Sequence, residues 1–135
     1  MYHETTHDIV VSVMPVYIDE RSKPEDELYF WAYRVVIENN SKQAFQLLSR
    51  YWKISDALGR IEEVRGEGVV GEQPVIEPNG RYEYTSGCTL STPSGIMVGT
   101  FTVCNVGQEN QSDTHFEINI PAFSLDLPDA ENSLN

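Results

Sequence analysis

The stretch that decides the fold is Tyr29-Phe30-Trp31-Ala32-Tyr33-Arg34-Val35-Val36-Ile37-Glu38. Every second residue, starting at Tyr29, is aromatic or β-branched, whereas the residues between them are mixed in character. This period of two places the apolar set on one face of a β-strand, and aromatic and β-branched residues favour strands in general. The stretch therefore predicts a long strand with one face in a core, followed by a turn at 39–42.

Six further segments have strand composition between turn signals: Ile9–Ile18, Phe45–Ser55, Arg60–Arg65, Arg81–Ser86, Ile96–Val106 and Thr114–Ile120. Phe45–Ser55 is long enough for a helix, but its aromatic residues and flanking turns favour a strand. Pro15 has no N–H to donate, which indicates an edge strand or a bulge in the first segment. Short strands with turns roughly every ten residues predict an all-β sandwich or barrel.

The charge balance narrows the function classes. Nine basic residues against 21 acidic ones give a formal net charge of −12. Nucleic acids and anionic membranes both attract clustered Lys and Arg, and the sequence has no such run. Neither partner is therefore expected. The acidity suits a soluble cytoplasmic protein, or one with basic or cationic partners.

The termini and the cysteines complete the expected organisation. The polar, acidic N-terminus lacks the pattern of an export signal, so we expect a cytoplasmic protein with reduced thiols at Cys88 and Cys104. A chain of this length can bury its own core, so we expect one domain over residues 1–135. The polar tail at 129–135 is expected to be disordered.

Several blocks, taken in order, resemble the bacterial ApaG proteins over nearly the whole chain. They are Tyr29–Tyr33, Ile37–Asn39, Gln46–Trp52, Gly66–Pro74, Tyr84–Gly87, Thr92–Pro93, Gly95–Gly99 and Ile120–Phe123. The resemblance implies a two-sheet antiparallel β-sandwich of the fibronectin type III kind. Related eukaryotic domains look like protein-interaction modules, and the bacterial family has no established biochemical activity. A link of the family to cobalt and magnesium tolerance has been proposed.

The segment Gly66-Glu67-Gly68-Val69-Val70-Gly71 matches the G-x-G-x-x-G string of dinucleotide sites. That motif needs a following helix to hold the pyrophosphate, and two prolines in the next seven residues prevent one. Two interpretations stay open: a loop shaped by positive φ angles, or a looser anion-binding nest of backbone amides. The candidate anion-binding residues are Arg65, Gly66, Gly68 and Gly71.

Arg50-Tyr51-Trp52 offers a candidate interaction surface. In a strand, Tyr51 points away from Arg50 and Trp52. Arginine and aromatic residues are favoured anchors of protein interfaces, so Arg50 and Trp52 are predicted to lie on a partner-binding surface. The alternative is that Trp52 belongs to the core.

Signals for catalysis and metal binding are weak. Cys88 and His115 are the one combination of nucleophile and base, and packing roles are favoured for both. His3 and His7 are too scattered to join His115 in a zinc site, and the acidic connection 19–27 lacks EF-hand spacing. The sequence therefore predicts a non-enzymatic protein-interaction module that needs no cofactor or metal. Its partner is an unidentified protein, with weak homodimerisation as a further expectation. The alternative is a binder of a small phosphate-containing ligand or a divalent metal.

Overall fold

The computed structural model describes residues 1–107 and 115–127. The strands are β1 (Tyr2–Thr6), β2 (Ile9–Tyr17), β3 (Tyr29–Asn39), β4 (Phe45–Asp56), β5 (Ile61–Glu67), β6 (Val75–Ile76), β7 (Arg81–Leu90), β8 (Ser94–Asn105) and β9 (His115–Asp126). Two short 3-10 turns, Asp19–Arg21 and Pro24–Asp26, connect β2 to β3.

The strands form two antiparallel sheets. The first has the order β1-β2-β3-β7, and the second has the order β5-β4-β8-β9. The short β6 pairs with the beginning of β4, at Phe45 and Gln46. The alternating stretch Tyr29–Glu38 lies in β3, which pairs with β2 on one side and β7 on the other. The prediction of an all-β, two-sheet antiparallel sandwich is confirmed.

The core fills the space between the sheets. Its residues from β3 are Trp31, Tyr33, Val35 and Ile37, as the alternation predicts. Across the interior the ring of Phe123 on β9 lies 6.1 Å from that of Tyr33, centroid to centroid. Aromatic pairs at this separation add to the free energy gained by burying their apolar surface. The alternating aromatic and β-branched residues of β3 therefore form one face of the core.

The two long sides of the sandwich differ. On one side β1 is tied to β9, because the Tyr2 hydroxyl hydrogen-bonds Ser124 Oγ at 2.9 Å. Further along the same side, the Asn119 N–H donates to Thr6 Oγ1 at 3.1 Å. On the other side, β7 pairs only with β3 and β5 only with β4 among the described strands. The sandwich is closed along β1 and β9 and open along β5 and β7, which we call the open side.

Several boundaries differ from the sequence expectation. The sequence does not predict β1, because its residues are largely polar, yet pairing with Ile9–Val13 satisfies its backbone. β2 is an inner strand, but Pro15 lies in the part of it that extends beyond β1, so of the two predicted alternatives, edge strand or bulge, the structure shows a local edge. β7 continues beyond its predicted end at Ser86 to Leu90. β9 continues beyond its predicted end at Ile120 and includes Pro121, because the β8–β9 register shifts there.

Two expectations fall beyond the described part of the chain. Thr114, the predicted first residue of the last strand, and the predicted disordered tail at 129–135 both lie outside the described residues. Among the residues that are described, no helix has the length and apolar character needed to cross a bilayer.

Candidate functional site

A β-bulge in β4 decides which way Arg50 and Trp52 face. The register between β4 and β8 shifts between Leu47 and Ser49, so one extra residue is accommodated there. An extra residue reverses the faces of every residue that follows in a strand. Leu47 lies in the core before the bulge, and Trp52 lies in the core after it. Arg50, two residues before Trp52, consequently points between the sheets.

Trp52 is a core residue, and its prediction as part of a partner-binding surface is wrong. The side chain is 2% exposed. Its ring meets those of Tyr33 and Phe123 at centroid distances of 5.4 and 5.8 Å. Because of the bulge, the side chains of Arg50 and Trp52 lie on the inner face of the second sheet, and those of Tyr51 and Lys53 lie on its outer face.

Arg50 reaches into the open side beneath the glycine segment. Its Nη1 donates to the carbonyl oxygens of Gly68 at 2.8 Å and Glu67 at 3.2 Å. A Cβ placed on Gly66 would come within 2.7 Å of the Arg50 Cζ, so a larger residue there would displace the guanidinium from its present position. Among the described residues, Arg50 forms no ion pair with a carboxylate.

The glycine loop is held by its own backbone. The φ angles of Gly68 and Gly71 are +65° and +83°, values that glycine adopts without strain. The Gly68 N–H donates to Leu48 O, and the Val69 N–H donates to Glu72 O, both at 2.8 Å. Two of the amides that a nest would present to an anion are thus already engaged. Anion binding by this loop stays a prediction.

Arg65 is not brought to the loop. Its side chain lies on the outer face of the second sheet, with Cζ 4.5 Å from the centroid of the Tyr51 ring. The Tyr51 hydroxyl donates to Glu63 Oε2 at 2.7 Å, and this hydrogen bond raises the pKa of Tyr51. Arg65 and Gly66 line one surface cavity of about 620 Å³ that Gly68 and Gly71 do not line, so the structure brings together only part of the predicted anion-binding group.

A cleft of about 280 Å³ opens between β5 and β7. We call it the Arg50 cleft, and the residues that define it are Tyr33, Arg50, Trp52, Glu62, Ser86 and Cys88. Its floor is apolar, with Ile54 and Met97 beside Trp52. Its polar groups come from both sheets: Arg50 from β4, Tyr33 from β3 and Ser86 from β7.

Buried donors accompany Arg50. The Trp52 Nε1 and the Tyr84 hydroxyl are buried and have no hydrogen-bond partner among the described residues. Burial raises the pKa of both Tyr33 and Tyr84, whereas the nearby charge of Arg50 lowers both. In the cleft the Arg50 guanidinium only donates hydrogen bonds, the Tyr33 and Ser86 hydroxyls donate or accept, and the Glu62 carboxylate accepts.

The structure does not assemble a nucleophile with a base from Cys88 and His115. Cys88 lies in the Arg50 cleft, where its Sγ is 3.6 Å from the Met97 Sδ. His115 lines a different cavity, beside His7, at the end of the sandwich. Burial, with the charge of Glu62 acting in the same direction, raises the pKa of the Cys88 thiol to about 11. At neutral pH the thiol is therefore protonated and a poor nucleophile.

The described residues contain no cluster of side chains that could bind a metal ion. Within residues 1–107 and 115–127, no three His, Cys, Asp or Glu side chains come close enough together to hold an ion. His7 and His115 line the same cavity of about 540 Å³, together with Lys42. The ring of His7 packs edge-on against Phe116, at a centroid distance of 5.2 Å. His7 therefore contacts Phe116 at the rim of this cavity, whereas His115 is exposed there and its packing role stays a prediction.

The sequence does not reveal Tyr33, Glu62 and Ser86 as cleft residues. They lie on three different strands, and only the pairing of β3 with β7 places Tyr33 opposite Ser86. One signal was available: Tyr33 carries a hydroxyl within an otherwise apolar face of β3. A buried phenol needs a partner or water, so such a residue marks a polar point in a core.

Comparison with known sequences decides the family. A sequence model described as ApaG domain matches residues 19–105, well over half of the chain. The chain belongs to the ApaG family. It is 53% identical to the Protein ApaG of Mesorhizobium japonicum and 53% identical to that of Paramagnetospirillum magneticum. Each comparison spans 135 residues and covers 100% of both chains. The resemblance stated from the sequence is thus confirmed.

Solved structures of similar sequence share the ApaG fold. The putative ApaA protein from Bordetella pertussis is 45% identical, with a TM-score of 0.83 over 90% of this chain and 94% of that one. A second X-ray structure is also 45% identical, with a TM-score of 0.80 over 90% and 88% of the two chains. The fibronectin type III-like sandwich expected from the family is therefore confirmed.

Proposed function

We propose that this ApaG protein is a non-enzymatic module that binds a protein partner by adding one of the partner's strands to the free edge of β7. The observation that carries this proposal is the length of that edge. β7 pairs with β3 along all of Arg81–Leu90, and no described strand pairs with its other side. An unpaired edge is a template for an extended segment of another chain.

The ladder specifies which backbone groups are available. The Asn39 N–H donates to Gly80 O at 3.0 Å, at the beginning of the β3–β7 ladder. Hydrogen-bonded pairs alternate along an antiparallel ladder. Counting onward from Gly80 in steps of two leaves the peptide groups of Glu83, Thr85 and Gly87 directed to the free edge. A partner strand could hydrogen-bond all three.

The other edges of the first sheet are less suited. The end of β2 extends beyond β1, but Pro15 removes an N–H from the middle of that free segment. β1 is tied to β9 through Tyr2 and Thr6. Natural proteins protect edge strands by such devices, and β7 carries no proline. The contrast supports β7 as the edge that is kept open.

The chemistry of the partner follows from charge. The net charge of −12 attracts basic segments. On the open side, β5 faces β7 across the cleft and carries Glu62, Glu63 and Glu67. The proposed occupant is therefore an extended segment of another protein with Lys or Arg among its side chains. A second copy of this chain is less favoured, because two copies repel each other.

The test uses a proline at the centre of the free edge. Thr85→Pro removes the N–H that points to the partner, and an edge position tolerates proline. Thr85→Ala is the matched control. We expect affinity capture from cell lysate to retain a protein on the parent and on Thr85→Ala and to lose it on Thr85→Pro. Equal capture by all three variants would contradict strand addition, as would no capture at all. Binding solely to the parent chain itself would assign the edge to a homodimer.

A further inference from the structure

We propose that the Arg50 cleft binds a small organic monocarboxylate, with the carboxylate on the Arg50 guanidinium and the apolar body against Trp52. This site goes beyond the partner-binding edge of β7. A small ligand in the cleft requires no partner protein, so the two proposals stand on separate measurements.

Among the described residues, the Arg50 guanidinium has no carboxylate bonded to it, although Glu62 lines the same cleft. The guanidinium has five N–H donors, and Nη1 alone makes the recorded bonds, to Glu67 O and Gly68 O. Both acceptors are neutral carbonyls, and among the described residues no carboxylate pairs with Arg50. A half-buried cation of this kind favours an anionic ligand.

Other hydrogen-bonding side chains line the cleft together with Arg50. Tyr33 and Ser86 line the same cleft, and Trp52 contributes an Nε1 that is buried without a partner among the described residues. A buried donor left without an acceptor costs free energy, which a ligand oxygen would recover. Hydroxyl groups from β3 and β7 thus line the cleft with Arg50 and can donate to a ligand, and a carboxylate supplies only acceptors.

The volume of the cleft and the charge of its lining limit the size and the charge of the ligand. Glu62 lines the cleft with Arg50, so a second negative charge on the ligand would be repelled. This favours a monocarboxylate over a phosphate dianion. Trp52, Ile54 and Met97 are buried and give the cleft a small apolar contact, which suits a compact aromatic or branched aliphatic body. At about 280 Å³ the cleft is below the range of drug-sized pockets, so the body is small.

The test is a titration of the full chain with benzoate, with acetate and inorganic phosphate as comparison ligands. Proton–nitrogen correlation spectra report directly on the Trp52 indole N–H. We expect benzoate to shift that signal in a saturable way, and to bind about tenfold more tightly than acetate or phosphate. An unmoved indole signal would overturn the proposal. Equal affinity for benzoate and phosphate would assign the cleft to oxyanions in general and overturn the monocarboxylate.

Paired variants localise the effect. Glu62→Gln removes the negative charge inside the cleft and should tighten benzoate binding severalfold. Glu63→Gln changes the neighbouring residue, which faces outward to Tyr51, and should leave binding unchanged. Arg50→Lys keeps the charge but loses the planar fork, so affinity should fall about tenfold. Thermal melts check that Arg50→Lys is folded. Equal responses of Glu62→Gln and Glu63→Gln would place the ligand outside the cleft and contradict the proposal.

Discussion

At the scale of single residues, Gly68 distinguishes backbone geometry from ligand binding. Gly68 and Gly71 both have positive φ, but a Cβ on Gly68 would lie 2.2 Å from Glu72 O, whereas one on Gly71 would meet nothing within 4 Å. Gly71→Ala therefore carries only the left-handed penalty of about 1 kcal/mol. Gly68→Ala adds a backbone clash and should lower the free energy of unfolding by about 3 kcal/mol. Urea unfolding measures both, and equal losses would contradict this account of the loop.

Cys88 predicts a pH dependence of stability. Burial raises the pKa of its thiol to about 11, whereas an unfolded cysteine ionises near pH 8.5, roughly the ordinary value. The unfolded state therefore loses its proton first as the pH rises. The stabilising contribution is complete below about pH 8.5 and is lost progressively toward pH 11, on the order of 1–2 kcal/mol by pH 10.

Urea midpoints at pH 8, 9 and 10 measure this decline. In Cys88→Ala the slope against pH should be smaller. It should not vanish, because burial also raises the pKa of Tyr33 and Tyr84 in the folded state. An unchanged slope in Cys88→Ala would show that the thiol is not responsible.

At the scale of elements, the bulge in β4 is the feature that builds the site. Deleting Leu48 removes one residue at the register shift, so either Leu47 or Trp52 must leave the core. We expect the deletion to abolish cooperative folding. Leu48→Ala keeps the residue count, and its Leu48 O still accepts from Gly68 N and Gln73 Nε2. Thermal melts followed by circular dichroism compare the two variants, and similar stabilities would contradict the assigned register.

The same bulge explains what sequence reasoning could reach. The alternation of β3 predicts its strand, its inner face and the two-sheet sandwich, because nothing interrupts the period of two. Phe45–Ser55 contains no glycine or proline, so nothing local marks the bulge. The face of Trp52 follows from pairing with β8, which is a non-local contact. For the same reason the Arg50 cleft, which is lined by residues of five strands, lies beyond what composition or spacing can predict.

At the scale of the whole molecule, the sandwich has two unlike sides. Side-chain hydrogen bonds join β1 to β9 on the closed side, whereas β5 and β7 leave their edges unpaired among the described strands. The long free edge of β7, the acidic β5 and the Arg50 cleft all lie on the open side. We therefore propose that the protein binds its partner on the open side.

Site-specific photo-crosslinking in living cells tests that claim most directly. A photoreactive residue at position 85 lies on β7 at the open side, and one at position 3 lies on β1 at the closed side. Both positions carry exposed side chains, so they are matched in access. We expect the residue at position 85 to cross-link to one discrete partner protein and the residue at position 3 to cross-link to none. Cross-links from position 3 alone, or from neither position, would contradict it.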